Sequence, residues 1–110
     1  MAQYLILIYE QEKELSEAEF QETMNLHNDF PHQVEALGAK VVGGQALQPS
    51  VTATSIRKGV VTDGPFVETK EALGGYYLIE ADDLDQALKI GKLCPAPRGG
   101  VEVRPIMMFE

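Results

Sequence analysis

Six consecutive apolar residues near the start of the chain, Tyr4-Leu-Ile-Leu-Ile-Tyr9, restrict what it can fold into more than any other stretch. The run has the length of a β-strand, and side chains along a strand point alternately to opposite faces. Both alternating sets are apolar here, so the strand must be covered on both faces. A single layer of helices can cover only one of them. The run is far shorter than the ~20 residues of a membrane span. It lacks the basic lead and small-residue cleavage site of a signal peptide.

Two helices are written beside this strand. Ser16-Glu-Ala-Glu19 has the form of a capping box, in which Ser16 and Glu19 satisfy each other's free backbone N–H groups. Behind it Phe20, Met24, His27, Phe30, Val34 and Leu37 recur every three or four residues, a stripe that faces a core. Pro31 predicts a kink or break near Asp29, and Gly38 suits the residue just past the helix. The second helix opens at Asp83, with Gln86 three residues on and Leu84, Ala87, Leu88 and Gly91 as its stripe. Cys94-Pro95-Ala-Pro97 stops it.

The remaining strands read Lys40–Leu47, bent at Gly43-Gly44, then Gly75–Ala81, then Val101–Phe109. Between the first two, Thr52–Arg57 and Val60–Thr62 form a short hairpin closed at Lys58-Gly59. The order is β-α-β-(hairpin)-β-α-β. It predicts one domain over residues 1–110, α+β and ferredoxin-like (βαββαβ) with an inserted hairpin. Its antiparallel sheet carries helices on one face. The other face stays apolar and bare, which predicts a homodimer through the sheet face.

Composition narrows the partners. There are 17 acidic and 9 basic residues among 110, a net charge of −8, which argues against nucleic acid or an anionic membrane. Cys94 is the only cysteine, so no internal disulfide can form, and a cytoplasmic location is expected.

The densest turn chemistry lies in Val61–Gly75, VTDGPFVETKEALGG. Val61-Thr-Asp-Gly-Pro-Phe66, Glu68-Thr-Lys-Glu71 and Gly74-Gly-Tyr-Tyr77 together resemble the DGPF branch of the YCII-related proteins. Asp82-Asp-Leu-Asp85, Cys94-Pro95 and Val101-Glu-Val-Arg-Pro105 extend the likeness from Tyr4 to Phe109. The resemblance implies a dimeric α+β barrel with a cleft between helices and sheet. It also implies a small-molecule ligand and a superfamily of isomerases, lyases and monooxygenases that work without metal. Members of this branch often lie beside extracytoplasmic-function sigma factors, which suggests a ligand-binding or regulatory module as the alternative to an enzyme. The family pairs a His on the first helix with an Asp-Pro after the second. Here His27 takes the first place and Cys94-Pro95 the second.

Asp63 is therefore the carboxylate expected to act with His27, as a general base or by orienting the imidazole. The other role open to Asp63 is to cap its own turn, and to His27 that of a satisfied core residue. Arg57 and Arg104 could hold an anion, because a guanidinium fork matches a carboxylate. Ion pairs with Glu68, Glu80 or Glu102 are the alternative. Tyr76 and Tyr77 point to opposite faces, so one lines the helix-side cleft. Glu68 or Lys70 is expected to point back toward the same cleft, with Phe66 buried as the loop's anchor. His27 and His32 lack the i, i+4 spacing of a metal pair, and no Cys/His cluster exists, so neither metal nor other cofactor is expected. The expected reaction is cofactor-independent isomerisation or lysis of a small organic anion.

Overall fold

A computed structural model describes residues 1–109. Strand β1, Ala2–Gln11, lies inside a four-stranded sheet with β2 (Lys40–Ala46), β5 (Glu71–Ala81) and β6 (Gly99–Pro105), in the order β2-β5-β1-β6. All three pairings are antiparallel. Helices α1 (Glu17–Ala36) and α2 (Leu84–Leu93) are the two crossings of a ferredoxin-like α+β fold. Strands β3 (Thr54–Arg57) and β4 (Val60–Asp63) form a separate two-stranded sheet. No helix among the described residues is long and apolar enough to cross a membrane.

The central position of β1 follows from its composition. Tyr4, Ile6 and Ile8 are buried on one face, beside Ile79 and Ala81 of β5. Phe30 and Val34 of α1, with Ala87 and Ile90 of α2, complete that core. Phe30, Ile6, Ile79, Ile90 and Val34 are wholly buried, and burial of each such side chain is worth about 1.5–3 kcal/mol. On the other face Leu5 lies opposite Leu78, and Leu7 opposite Tyr76. These four side chains are only half-buried.

The capping box forms as written. Glu19 N–H donates to Ser16 Oγ, and Ser16 N–H donates to Glu19 Oε1, both at 3.1 Å. Asp83 caps α2 by accepting from Gln86 N–H at 2.9 Å. Gln86 reaches back to Asp82 N–H rather than to the cap residue itself. Lys58 and Gly59, at φ +49° and +80°, close the hairpin in the left-handed region that a two-residue turn requires.

Several boundaries differ from the sequence expectations. Helix α1 runs unbroken through Pro31. Proline removes one backbone donor, leaving the His27 carbonyl without its usual partner. Phe30 and Val34, on either side, are both wholly buried and hold the two halves on the sheet. The N-terminal part of the stripe, Phe20 and Met24, is exposed, as is Leu37. In α2 the buried residues are Ala87, Ile90 and Gly91, while Leu84 and Leu88 are exposed. Strand β5 begins at Glu71, four residues before Gly75, and β6 ends at Pro105, leaving Ile106–Phe109 outside the sheet. Thr52 ends a 3-10 turn, Ser50–Thr52, rather than opening a strand, and β3 begins at Thr54.

Candidate functional site

Helix α1 and strand β5 meet at His27 and Tyr77. Tyr77 pairs with Ile6 in the sheet and points toward the helices. Its ring packs on Phe30, with centroids 4.7 Å apart, and stacks beside His27 at 5.9 Å. Tyr77 Oη lies 2.7 Å from His27 Nδ1. Gly44 of β2 lies opposite Tyr77 and makes room for the ring. A Cβ there would stand 2.8 Å from Tyr77 Cδ1 and from the Tyr76 carbonyl oxygen.

Burial sets the protonation of the pair. Loss of solvent pushes His27 below the ordinary histidine value, and the Glu10 carboxylate pulls the other way. Tyr77 is raised to about 12 by burial, with nearby Cys94 adding to the shift. At neutral pH the pair is an uncharged imidazole bonded to an uncharged phenol.

Glu10 is the charge that reaches His27. It has the same parity as Tyr4, Ile6 and Ile8, so it ends the helix-facing side of β1. It accepts a hydrogen bond from Arg98 N–H at 3.0 Å and lies 3.4 Å from Arg98 Nη2. Gln11 N–H donates to the Arg98 carbonyl, which fixes the α2–β6 connection to the end of β1. Cys94 at the end of α2 is buried, and its thiol is raised to about 12 by burial and by Glu10. It stays protonated and is a poor nucleophile.

The other residues expected at this site lie apart from it. Asp63 ends β4 and is exposed, with no hydrogen bond to His27. It shares a hollow of about 480 Å³ with Glu68, Ser50 and Gly64, beside the hairpin. Ser50 is tied to Glu12, whose carboxylate accepts its N–H at 2.7 Å and its hydroxyl, which lowers the Glu12 pKa. Phe66 is 57% exposed rather than buried. The Arg57 guanidinium lies 4.5 Å above its ring. Arg104 pairs with Glu102 on the open face of the sheet. Two further hollows lie elsewhere. One, of about 520 Å³, includes Tyr9, Lys70 and Glu102, and one of about 350 Å³ includes Leu37, Asp83 and Gln86. None of the three hollows includes His27 or Tyr77.

The structure thus joins His27 to Tyr77 and Asp63 to Glu68, as two separate groups. Glu10 reaches the first group through its charge, and Arg98 pairs with Glu10, neither with an expectation from sequence. The parity of Glu10 along β1 was a usable signal, a lone charge ending an otherwise apolar face. Arg98 had none, since it sits in an irregular connection. Among the described residues no three His, Cys, Asp or Glu cluster as metal ligands would.

The chain is 41% identical over 71 residues to "Uncharacterized protein R00369" of Rhizobium meliloti (strain 1021), an alignment covering 58% of this chain and 57% of that protein. It spans little more than half the length of that relative. The YCII-related domain matches residues 2–110, so this chain belongs to the YCII-related family.

Proposed function

We propose that His27 and Tyr77 form the proton-transfer centre of a small-molecule site, in a cofactor-independent isomerase or lyase of small organic anions. The 2.7 Å contact between His27 Nδ1 and Tyr77 Oη carries this reading. With Nδ1–H donated to the phenol oxygen, Nε2 keeps a free lone pair. A C–H bond next to a substrate carbonyl would break, its proton going to Nε2 and its electron pair into an enolate. Return of that proton to another carbon completes an isomerisation. Expulsion of a leaving group from the enolate completes a lysis.

Three features support the role. Half-burial keeps the imidazole neutral and able to accept a proton near pH 7. Tyr77 fixes the ring orientation. The Glu10 carboxylate stabilises the imidazolium once formed, so in this reading Glu10 takes the place that the sequence suggested for Asp63. The apolar outer face of Leu5, Leu7, Tyr76 and Leu78 supports pairing of two copies through the sheet.

Incubation in D2O with a panel of 2-oxo and enolisable acids, followed by NMR, tests the function. Deuterium exchange or isomerisation that disappears in His27→Gln supports it. Equal rates in both proteins overturn it. A compound that binds and is recovered unchanged favours the alternative of a binding or regulatory module, including one that serves sigma-factor signalling.

A further inference from the structure

We propose that Gly44 is the positioning residue of the His27–Tyr77 pair, and that its missing side chain is what lets the Tyr77 hydroxyl reach His27 Nδ1. This rests on the proton-transfer reading of the pair given above.

Nothing in the backbone asks for glycine at position 44. The residues in the left-handed region are Gly38, Lys58, Gly59 and Gly64, and Gly44 is not among them. The irregularity of β2 falls between Val41 and Gly43, and the ladder is regular from Gly43 to Ala46. Gly44 therefore serves neither a turn nor a bulge, the usual uses of glycine. Inside a regular strand glycine only weakens the strand. A Cβ on the adjacent Gly43 would meet nothing within 4 Å, so the crowding belongs to position 44.

Tyr77 is what asks for glycine. Gly44 and Tyr77 are ladder partners, so a side chain at 44 would share the helix-facing side of the sheet with the phenol ring. A Cβ there would stand 2.8 Å from Tyr77 Cδ1 and 3.3 Å from Cε1. Carbon atoms in contact normally lie about 3.5–4.0 Å apart, so the ring would have to move by roughly 0.7 Å or more. Phe30 packs on the same ring, with centroids 4.7 Å apart, and is itself wholly buried, so it yields little. N–H···O bond lengths span only about 0.5 Å. A ring displaced by more than that loses the 2.7 Å contact to His27 Nδ1, and the imidazole loses the partner that fixes its orientation.

Gly75 supplies the control. It lies two rungs from Gly44 on the same pair of strands. A Cβ there would first meet β2 backbone, the Gln45 carbonyl oxygen at 2.8 Å and Ala46 Cα at 3.3 Å. Gly44 shares this backbone crowding, through the Tyr76 carbonyl oxygen at 2.8 Å, and adds the Tyr77 ring.

The test uses the full chain labelled with 15N at histidine and NMR at pH 8, where a neutral imidazole shows which nitrogen is protonated. Wild type should show one tautomer at His27, with exposed His32 as the internal reference. Gly44→Ala should give a mixture, as Tyr77→Phe should, while Gly75→Ala should keep the wild-type tautomer. In the Tyr77→Phe background Gly44→Ala should change nothing further, because the hydroxyl it displaces is already gone. In the deuterium-exchange assay Gly44→Ala should lower kcat about tenfold, as loss of one orienting hydrogen bond does, with KM within about threefold. An unchanged His27 tautomer in Gly44→Ala, an equal shift in Gly75→Ala, or a further shift in the double variant overturns the proposal. If Gly44→Ala alone does not fold, adding Tyr77→Val removes Cδ1 and Cε1 and should restore folding, and failure to restore it also overturns the proposal. Deuterium exchange absent from every protein, with the tautomer pattern as stated, leaves Gly44 as the residue that seats the pair and removes the proton-transfer role of His27.

Discussion

His27 Nδ1 and Tyr77 Oη stand 2.7 Å apart, although fifty residues separate them in sequence. The contact links the middle of α1 to an inner strand of the sheet. It is half-buried and close to the Glu10 carboxylate. Replacement of Tyr77 by Phe removes the hydroxyl and keeps the ring on Phe30. The expected loss is about 1 kcal/mol, the net worth of one hydrogen bond, read from the urea midpoint. A loss near that of a cavity, about 3 kcal/mol or more, would show that the ring had also moved.

The protonation of His27 predicts a pH dependence. Its folded pKa lies below its unfolded value because burial disfavours the charged form. The unfolded chain therefore binds more protons between the two values, and stability rises with pH there. The stability tied to this group is fully present above the unfolded pKa of about 6.5 and is lost as pH falls toward the folded value. Urea midpoints at pH 7.5 and 5.5 should differ, and His27→Gln should reduce that difference. The lowered pKa values of Glu12 and Glu19 act below this window.

Cys94 is buried, with its thiol raised to about 12. Native protein should react with a thiol reagent such as DTNB at pH 8 far more slowly than protein in denaturing urea. Equal rates would show that the end of α2 opens readily.

The hairpin loop responds differently from a buried anchor. Asp63 is exposed and makes no side-chain hydrogen bond, so Asp63→Asn should change stability by less than about 0.5 kcal/mol. Phe66 is exposed, with the Arg57 guanidinium over its ring. Phe66→Ala should cost about 1 kcal/mol, as exposed cation–π contacts do, rather than the 3–5 kcal/mol of a buried ring. Thermal or urea unfolding of the two variants checks both values.

Glycine positions in the sheet should separate by backbone approach. A Cβ on Gly75 would stand 2.8 Å from the Gln45 carbonyl oxygen, so Gly75→Ala should push β2 from β5 and cost about 1–3 kcal/mol. A Cβ on Gly43 meets nothing within 4 Å, and Gly43→Ala should fall within about 0.5 kcal/mol of wild type. Similar losses in both would show that backbone freedom, not spacing, governs these positions.

Local pattern determined much of the fold. The run Tyr4–Tyr9, the capping box at Ser16 and the turn at Lys58-Gly59 act over a few residues, and each formed where the sequence put it. Alternation along a strand likewise decided that Tyr76 and Tyr77 face opposite ways. Tertiary structure decided the rest. Pro31 carries a local signal to break α1, and buried Phe30 and Val34 on either side overrule it. Phe66 has the composition of a buried anchor, yet no core lies under its loop. His27, Tyr77 and Glu10 come from α1, β5 and β1, brought together by strand order and helix packing, and Arg98 joins Glu10 from the α2–β6 connection. Residues far apart in sequence meet only through such long-range pairing. Spacing along the chain reports local geometry, and it could not tell Arg98, which meets Glu10, from Arg57, which meets Phe66.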